Sequence, residues 1–153
     1  MAWLQKQDAS KAEAYWRRTL AGFTAPTPLV VDRPTAAETP RYERIRVKLE
    51  PEVAASLQAL AREQRLTLNT VFQGAWAVLL NRYSGERDVM FGSVVSGREV
   101  AFPGIESLVG LCVNTLPARI AVPSAESVAQ WLLRLQRECS QVQLSGLTRE
   151  HLE

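Results

Sequence analysis

An α+β fold, in which a small mixed sheet is covered by helices, is what the sequence predicts, and three observations predict it. Apolar residues recur at helical spacing in four segments. Three further segments read as strands, one alternating and two nearly continuous in small and apolar residues. The resulting order is helix, strand, two helices, strand, strand, helix, which suits a two-layer α/β sandwich. So few strands make a thin independent layer, and the sheet is expected to continue into another lobe or another chain.

The first helix runs from a cap at Asp8 to about Gly22, with Ala12, Trp16 and Leu20 on one stripe and Gly22 suited to a helix end. Thr24 to Pro40 carries Pro26, Pro28, Pro34 and Pro40 and reads as an irregular surface connection. Tyr42 to Leu49 alternates, with Ile45, Val47 and Leu49 against Arg44, Arg46 and Lys48, as in a half-exposed antiparallel or edge strand.

Pro51 opens the next helix, where its missing N–H costs nothing, and Val53, Leu57 and Leu60 form the expected buried stripe. After a break at Arg65-Leu66, Thr67 caps a longer helix that Gly85 ends. Leu68, Val71, Phe72, Ala75, Trp76, Leu79, Leu80 and Tyr83 mark it as the core helix. Trp76 and Tyr83 are read as packed core in preference to an aromatic ligand box.

Asp88 to Ser96 fits a strand covered on both faces, and Gly97 to Glu106 a polar loop. Leu108 to Val122 reads as a second buried strand, with Pro117 marking a bulge, an edge or an end. Ser124 is the expected cap of a last helix bearing Val128, Trp131, Leu132, Leu135, Cys139 and Val142 on one face. Residues 1–145 are thus one domain portion, and 146–153 an unstructured tail.

The bulk properties narrow the function. The 153 residues are 46% hydrophobic and 22% charged, with a net charge of +2. No basic stripe suggests nucleic acid, no apolar run suits a membrane span, and the N-terminus lacks signal-peptide layout, so a cytoplasmic location is expected. One histidine and two cysteines cannot supply a metal site or a disulfide framework. His151, in the tail, is read as solvated. Cys112 and Cys139 look like core thiols with no neighbouring base. Ser93 and Ser96 do not sit in the strand-turn-helix elbow of a hydrolase, and no phosphate-binding glycine loop occurs.

Several stretches in register resemble the condensation domains of nonribosomal peptide synthetases. Ala14 to Gly22 is similar to the helix opening that family's second lobe, and Thr67 to Trp76 to its buried helix. Asp88 to Arg98 and Gly104 to Arg119 resemble two motif strands and their loop, with Gly110, Val113-Asn114-Thr115 and Arg119 the most specific match. Cys112 departs from the pattern, standing where the family usually carries Phe or another large apolar residue.

The resemblance implies one lobe of a chloramphenicol-acetyltransferase-like fold, in which two lobes form a V. A tunnel between them admits the phosphopantetheine arms of two carrier proteins, and the acceptor amine attacks the donor thioester. The family's His-His-x-x-x-Asp-Gly motif is not in this chain. The expected role is therefore a fragment supplying tunnel wall and carrier-docking surface, inactive alone. Its expected partners are peptidyl or acyl carrier proteins together with an N-terminal lobe or a second copy.

Glycines in strands permit close approach, so Gly92 and Gly97 are tunnel candidates. Asn114 and Thr115 are polar within an apolar strand and need partners, structural or substrate. Ser96 and Arg98 complete the set, Arg98 being either a solvated loop residue or a lobe-junction pair. Two alternatives remain: a stand-alone carrier-binding or homodimerising module, and an acyltransferase using Cys112.

Overall fold

The computed structural model describes residues 9–29, 43–98, 104–107, 109–110 and 113–144. The Asp8 cap, much of the Pro-rich connection, Tyr42, Leu108, Cys112, His151 and the tail therefore lie outside the described residues. The elements are α1 (Ala9–Thr19), α2 (Pro51–Glu63), α3 (Leu68–Ser84), β1 (Asp88–Val95), a 3₁₀ turn (Ile105–Ser107), β2 (Asn114–Ala121) and α4 (Val128–Leu144). No described helix is long and apolar enough to cross a membrane.

Local chemistry sets the helix ends. Pro51 occupies the first turn of α2. The Thr67 hydroxyl accepts the Thr70 N–H at 3.0 Å to start α3, and Gly85, with φ of 77°, closes it through its N–H to the Asn81 carbonyl at 2.9 Å. The last helix begins later than expected. Residues 124–126 form a bend, and Ser127, immediately before Val128, caps α4 in place of Ser124.

β1 and β2 form a two-stranded antiparallel sheet in continuous register from Asp88↔Ala121 to Val95↔Asn114. Its inner face carries Val89, Val95, Leu116, Ala118 and Ile120, all buried. Leu66, Val71, Ala77, Leu80, Trp131, Leu132 and Leu135 join Val89 and Ile120 in the main core between sheet, α3 and α4. A smaller cluster packs Trp16 of α1 on Val95 and Leu116. Complete burial of Val89, Ile120 and Leu135 stabilises the fold by roughly 1.5–3 kcal/mol each. The buried Trp16 Nε1 finds no partner among the described residues.

Several expectations need correction. Residues 43–50 form no strand; Ile45 is 87% exposed and Val47 81%, because no strand among the described residues lies beside them to pair. On α2 the buried residue is Ala61, while Val53 and Leu60 are exposed. The packed face of α3 is Thr70, Val71, Gln73, Gly74, Ala77 and Leu80. Phe72, Trp76 (44% exposed), Leu79 and Tyr83 (52%) form a second apolar face in solvent, so neither aromatic is core. β1 is covered on its inner face only, with Val94 67% exposed. β2 is shorter than its apolar run, since the exposed Val109 and Val113 precede the ladder.

Pro117 lies within β2, opposite Gly92. Its tolerance follows from the ladder. In an antiparallel pair, residues alternate between those bonded to the partner strand and those whose N–H and C=O point away. The Val122 N–H bonds the Arg87 carbonyl at 2.7 Å, whereas the Met90 N–H leaves the ladder for the Thr27 hydroxyl at 2.8 Å. The backbone groups of Met90, Gly92 and Val94 in β1, and of Thr115, Pro117 and Arg119 in β2, therefore face outward. Pro117 removes no ladder bond, which bears out the edge reading.

Candidate functional site at the hairpin end

The six sequence-derived candidates gather at one end of the β1–β2 hairpin. Gly92 lies within β1, while Ser96, Gly97 and Arg98 follow its last residue; Asn114 and Thr115 open β2. The pleat sends Asn114 and Thr115 to opposite faces. Asn114 pairs in register with the buried Val95, and its Oδ1 accepts the Thr115 N–H at 2.8 Å. Thr115 shares the outer face with Gly92. A Cβ on Gly92 would stand 2.7 Å from the Thr115 Cγ2, so any larger residue there would oblige the Thr115 side chain to move.

The loop after β1 is held by its own side chains. Gly97 adopts a φ of 66°, the Ser96 hydroxyl accepts the Arg98 N–H at 3.2 Å, and Arg98 Nη1 donates to the Ile105 carbonyl at 2.8 Å. Arg98 thus ties the loop to the 3₁₀ turn. Beside the hairpin lies a shallow groove of about 340 Å³, lined by Pro26, Thr27, Met90, Gly92, Thr115 and Pro117. Two of the six candidates, Gly92 and Thr115, line it.

A second cavity of about 550 Å³ lies between α1, the sheet and α4, and contains a polar chain that sequence reading missed. Cys139 Sγ donates to Gln73 Oε1 at 3.1 Å, and Gln73 Nε2 donates to Ser93 Oγ at 2.7 Å. The signal was Gln73, a long amide on an apolar helix whose burial requires partners. This chain of bonds does not make a nucleophile. Burial, aided by the charge of Glu138, pushes the Cys139 thiol up to about 11, and the Ser93 hydroxyl faces an amide, not a base. Among the described residues no cluster of three His, Cys, Asp or Glu could hold a metal ion.

Two ion-paired arginines frame the cavity. Arg119 grips Asp88 with Nη2 at 2.7 Å from Oδ2, and Arg134 bridges Glu126 at 2.9 Å and Glu138 at 3.2 Å. Hydrogen bonding to Asp88 and to Glu126, respectively, raises both guanidinium pKa values above the ordinary range, so both remain charged.

The sequence and the fold both match an established class of protein domain. Residues 1–147 match the condensation-domain family, and the chain belongs to it. A linear gramicidin synthase of Brevibacillus parabrevis is 47% identical over 143 residues, an alignment covering 90% of this chain and 3% of that protein. A chondramide synthase of Chondromyces crocatus is 48% identical over 136 residues, covering 89% and 4%. Among solved structures, the first condensation domain of the calcium-dependent antibiotic synthetase superposes with a TM-score of 0.71 at 26% identity, covering 91% of this chain and 32% of that one. SgcC5 from Streptomyces globisporus gives 0.74 at 25% identity, covering 94% and 32%. The chain thus spans a few per cent of these synthases and about a third of these solved structures.

Proposed function

We propose that this chain forms part of one lobe of a nonribosomal peptide synthetase condensation domain, and that its hairpin end walls the channel reached by phosphopantetheine arms of partner carrier proteins. The observation that carries this is the convergence of Gly92 and Thr115, both in family-matching strands, on one open groove. Ser96, Gly97 and Arg98 shape the adjoining loop, and Asn114 braces the start of β2. Residues 1–145 are taken as the domain portion and 146–153 as a tail, and the setting as cytoplasmic.

In this role the acceptor amine attacks the donor thioester carbonyl. A C–N bond forms, the C–S bond breaks, and the amine proton passes to the departing sulfur. The lining of the groove, Pro26, Thr27, Met90, Phe91, Gly92, Thr115, Leu116 and Pro117, holds no general base to relay that proton, and the chain's only histidine is His151. The histidine of the family motif must come from another segment of the domain. The test loads donor and acceptor carrier proteins and compares this chain with a complete condensation domain containing it. Amide product is expected only from the complete domain; formation by this chain alone refutes the proposal.

A second reading, a homodimerising or stand-alone carrier-binding module without catalysis, is favoured by the solvent-facing Phe72, Trp76, Leu79 and Tyr83 on α3. Sedimentation and carrier-protein titration distinguish the two. A concentration-independent monomer that binds no carrier protein removes the second reading.

A further inference from the structure

The larger cavity, of about 550 Å³ between α1, the sheet and α4, has an unbalanced charged lining. Its carboxylates are committed: Asp88 is held by Arg119, and Glu138 by Arg134. Two further lining guanidiniums, Arg18 and Arg87, have no carboxylate partner among the described residues, and Arg18 lies over the Tyr15 ring, 5.9 Å from its centroid. Both belong to one end of the cavity. Arg119 reaches the Thr19 carbonyl with Nη1 and Asp88 with Nη2, so the residues that follow Arg18 and Arg87 meet on one side chain.

Farther along the cavity the lining is polar and neutral. Ser93 points to the inner face of the sheet, opposite to Gly92. Gln73, 9% exposed, takes the Cys139 S–H on its carbonyl oxygen and gives an N–H to Ser93 Oγ. The Ser93 O–H therefore ends a chain of aligned hydrogen bonds, and it has no acceptor among the described residues. Apolar wall joins the two ends, with Leu116, Ala118, Ile120 and Val142 in the lining.

We propose that this cavity binds an apolar carboxylate carrying a second oxygen acceptor at its far end. The carboxylate sits between the guanidiniums of Arg18 and Arg87, which offer it charge-assisted, forked hydrogen bonds. The far oxygen, that of a ketone, accepts the Ser93 O–H, and the hydrocarbon between them lies along Leu116 and Ala118. The ligand thereby supplies an acceptor to each uncommitted donor while its body stays on apolar wall. Ser93 stands six positions along the chain from Arg87, roughly 20 Å of extended backbone. An arginine arm and a hydrogen bond at each end take up about half of that, which leaves a span for about eight carbons. A bare inorganic anion would meet the arginines and leave Ser93 and the apolar wall unused.

The test titrates the intact condensation domain containing this chain with 8-oxononanoate, nonanoate and 2-nonanone by calorimetry. 8-Oxononanoate is expected to bind, and each of the others, lacking one of its two polar ends, to bind about tenfold more weakly. Arg18 and Arg87 are exposed and have no carboxylate partner among the described residues, so Arg18→Gln and Arg87→Gln leave the fold intact. Each should weaken 8-oxononanoate about tenfold and leave 2-nonanone unchanged. Ser93→Ala should bring 8-oxononanoate down to the affinity of nonanoate; if that variant unfolds, the comparison of ligands on the unaltered domain still decides. No binding of 8-oxononanoate, equal affinity for all three ligands, or an unchanged affinity in both arginine variants overturns the site.

Discussion

Arg119 and Asp88 lie diagonally across the outer face of the hairpin and form a forked ion pair, with Nη2 2.7 Å and Nε 3.0 Å from the same carboxylate oxygen. The other arm of Arg119 turns away from the sheet. Its Nη1 donates to the Thr19 and Ala21 carbonyls at 2.8 and 2.7 Å, and the guanidinium lies over Phe23. One side chain therefore fastens the C-terminus of α1, where free carbonyls accumulate, to both strands.

Replacing that residue should loosen α1 before it melts the rest. Arg119→Ala is expected to lower stability by about 1–3 kcal/mol in urea titration. Arg119→Lys should recover less than half of the loss, since an ammonium cannot fork onto Asp88 while reaching two carbonyls. Full recovery by lysine would show that charge alone matters.

The α2–α3 corner depends on a residue far away in sequence. Gln136 Oε1 accepts the Thr67 N–H at 2.7 Å and the Thr70 hydroxyl at 3.1 Å, and its Nε2 donates to the Arg65 carbonyl at 3.0 Å. Arg65 itself sits at a φ of 55°. Gln136→Ala should cost about 1–2 kcal/mol, and Arg65→Gly should be neutral or stabilising by about 0.5–1 kcal/mol. Thermal denaturation of both variants checks the pair of signs.

Gly74 lets α3 and α4 meet closely, because a Cβ there would overlap Leu132 Cδ2, a buried core atom. Gly74→Val is expected to destabilise by about 1–3 kcal/mol despite removing a flexible glycine from a helix. An unchanged unfolding midpoint would mean that the helices separate freely.

Cys139 yields a pH signature. Its ordinary value of 9.0 is raised to about 11, so folding favours the neutral thiol. Between those values the unfolded chain has lost the proton and the folded chain keeps it. The contribution is thus intact below about pH 9 and declines as pH rises toward 11. With Cys112→Ser in place, iodoacetamide labelling of folded protein should stay slow at pH 8 and accelerate toward pH 11, while urea-unfolded protein reacts rapidly near pH 9.

Much of this architecture was readable from residue types, and the failures have a common cause. Thr67, Gly85 and Pro51 act within one turn of themselves, so their signals survive without tertiary context. The β1 and β2 runs were legible because their inner faces meet α3 and α4, which the same chain supplies. Two errors concern surfaces whose neighbours are not among the described residues. The alternation at Ile45 and Val47 is a strand pattern with no described strand beside it. On α3, two apolar stripes compete, and periodicity cannot say that Val71, Ala77 and Leu80 are packed while Phe72, Trp76 and Tyr83 face water. Gly92 and Thr115, two of the candidates chosen from sequence, do line one groove, but its edge chemistry was not legible. That depended on ladder parity, which no single strand reveals.

The reach of Gln136 across 71 residues to Arg65 has a consequence for synthesis. As the chain leaves the ribosome, α2 and α3 emerge long before the amide that clamps their junction, so the bend between them stays unsecured until translation has passed α4. A stall or cleavage upstream of residue 136 would leave both helices formed but free to swing, a nascent species whose unguarded bend a protease could reach.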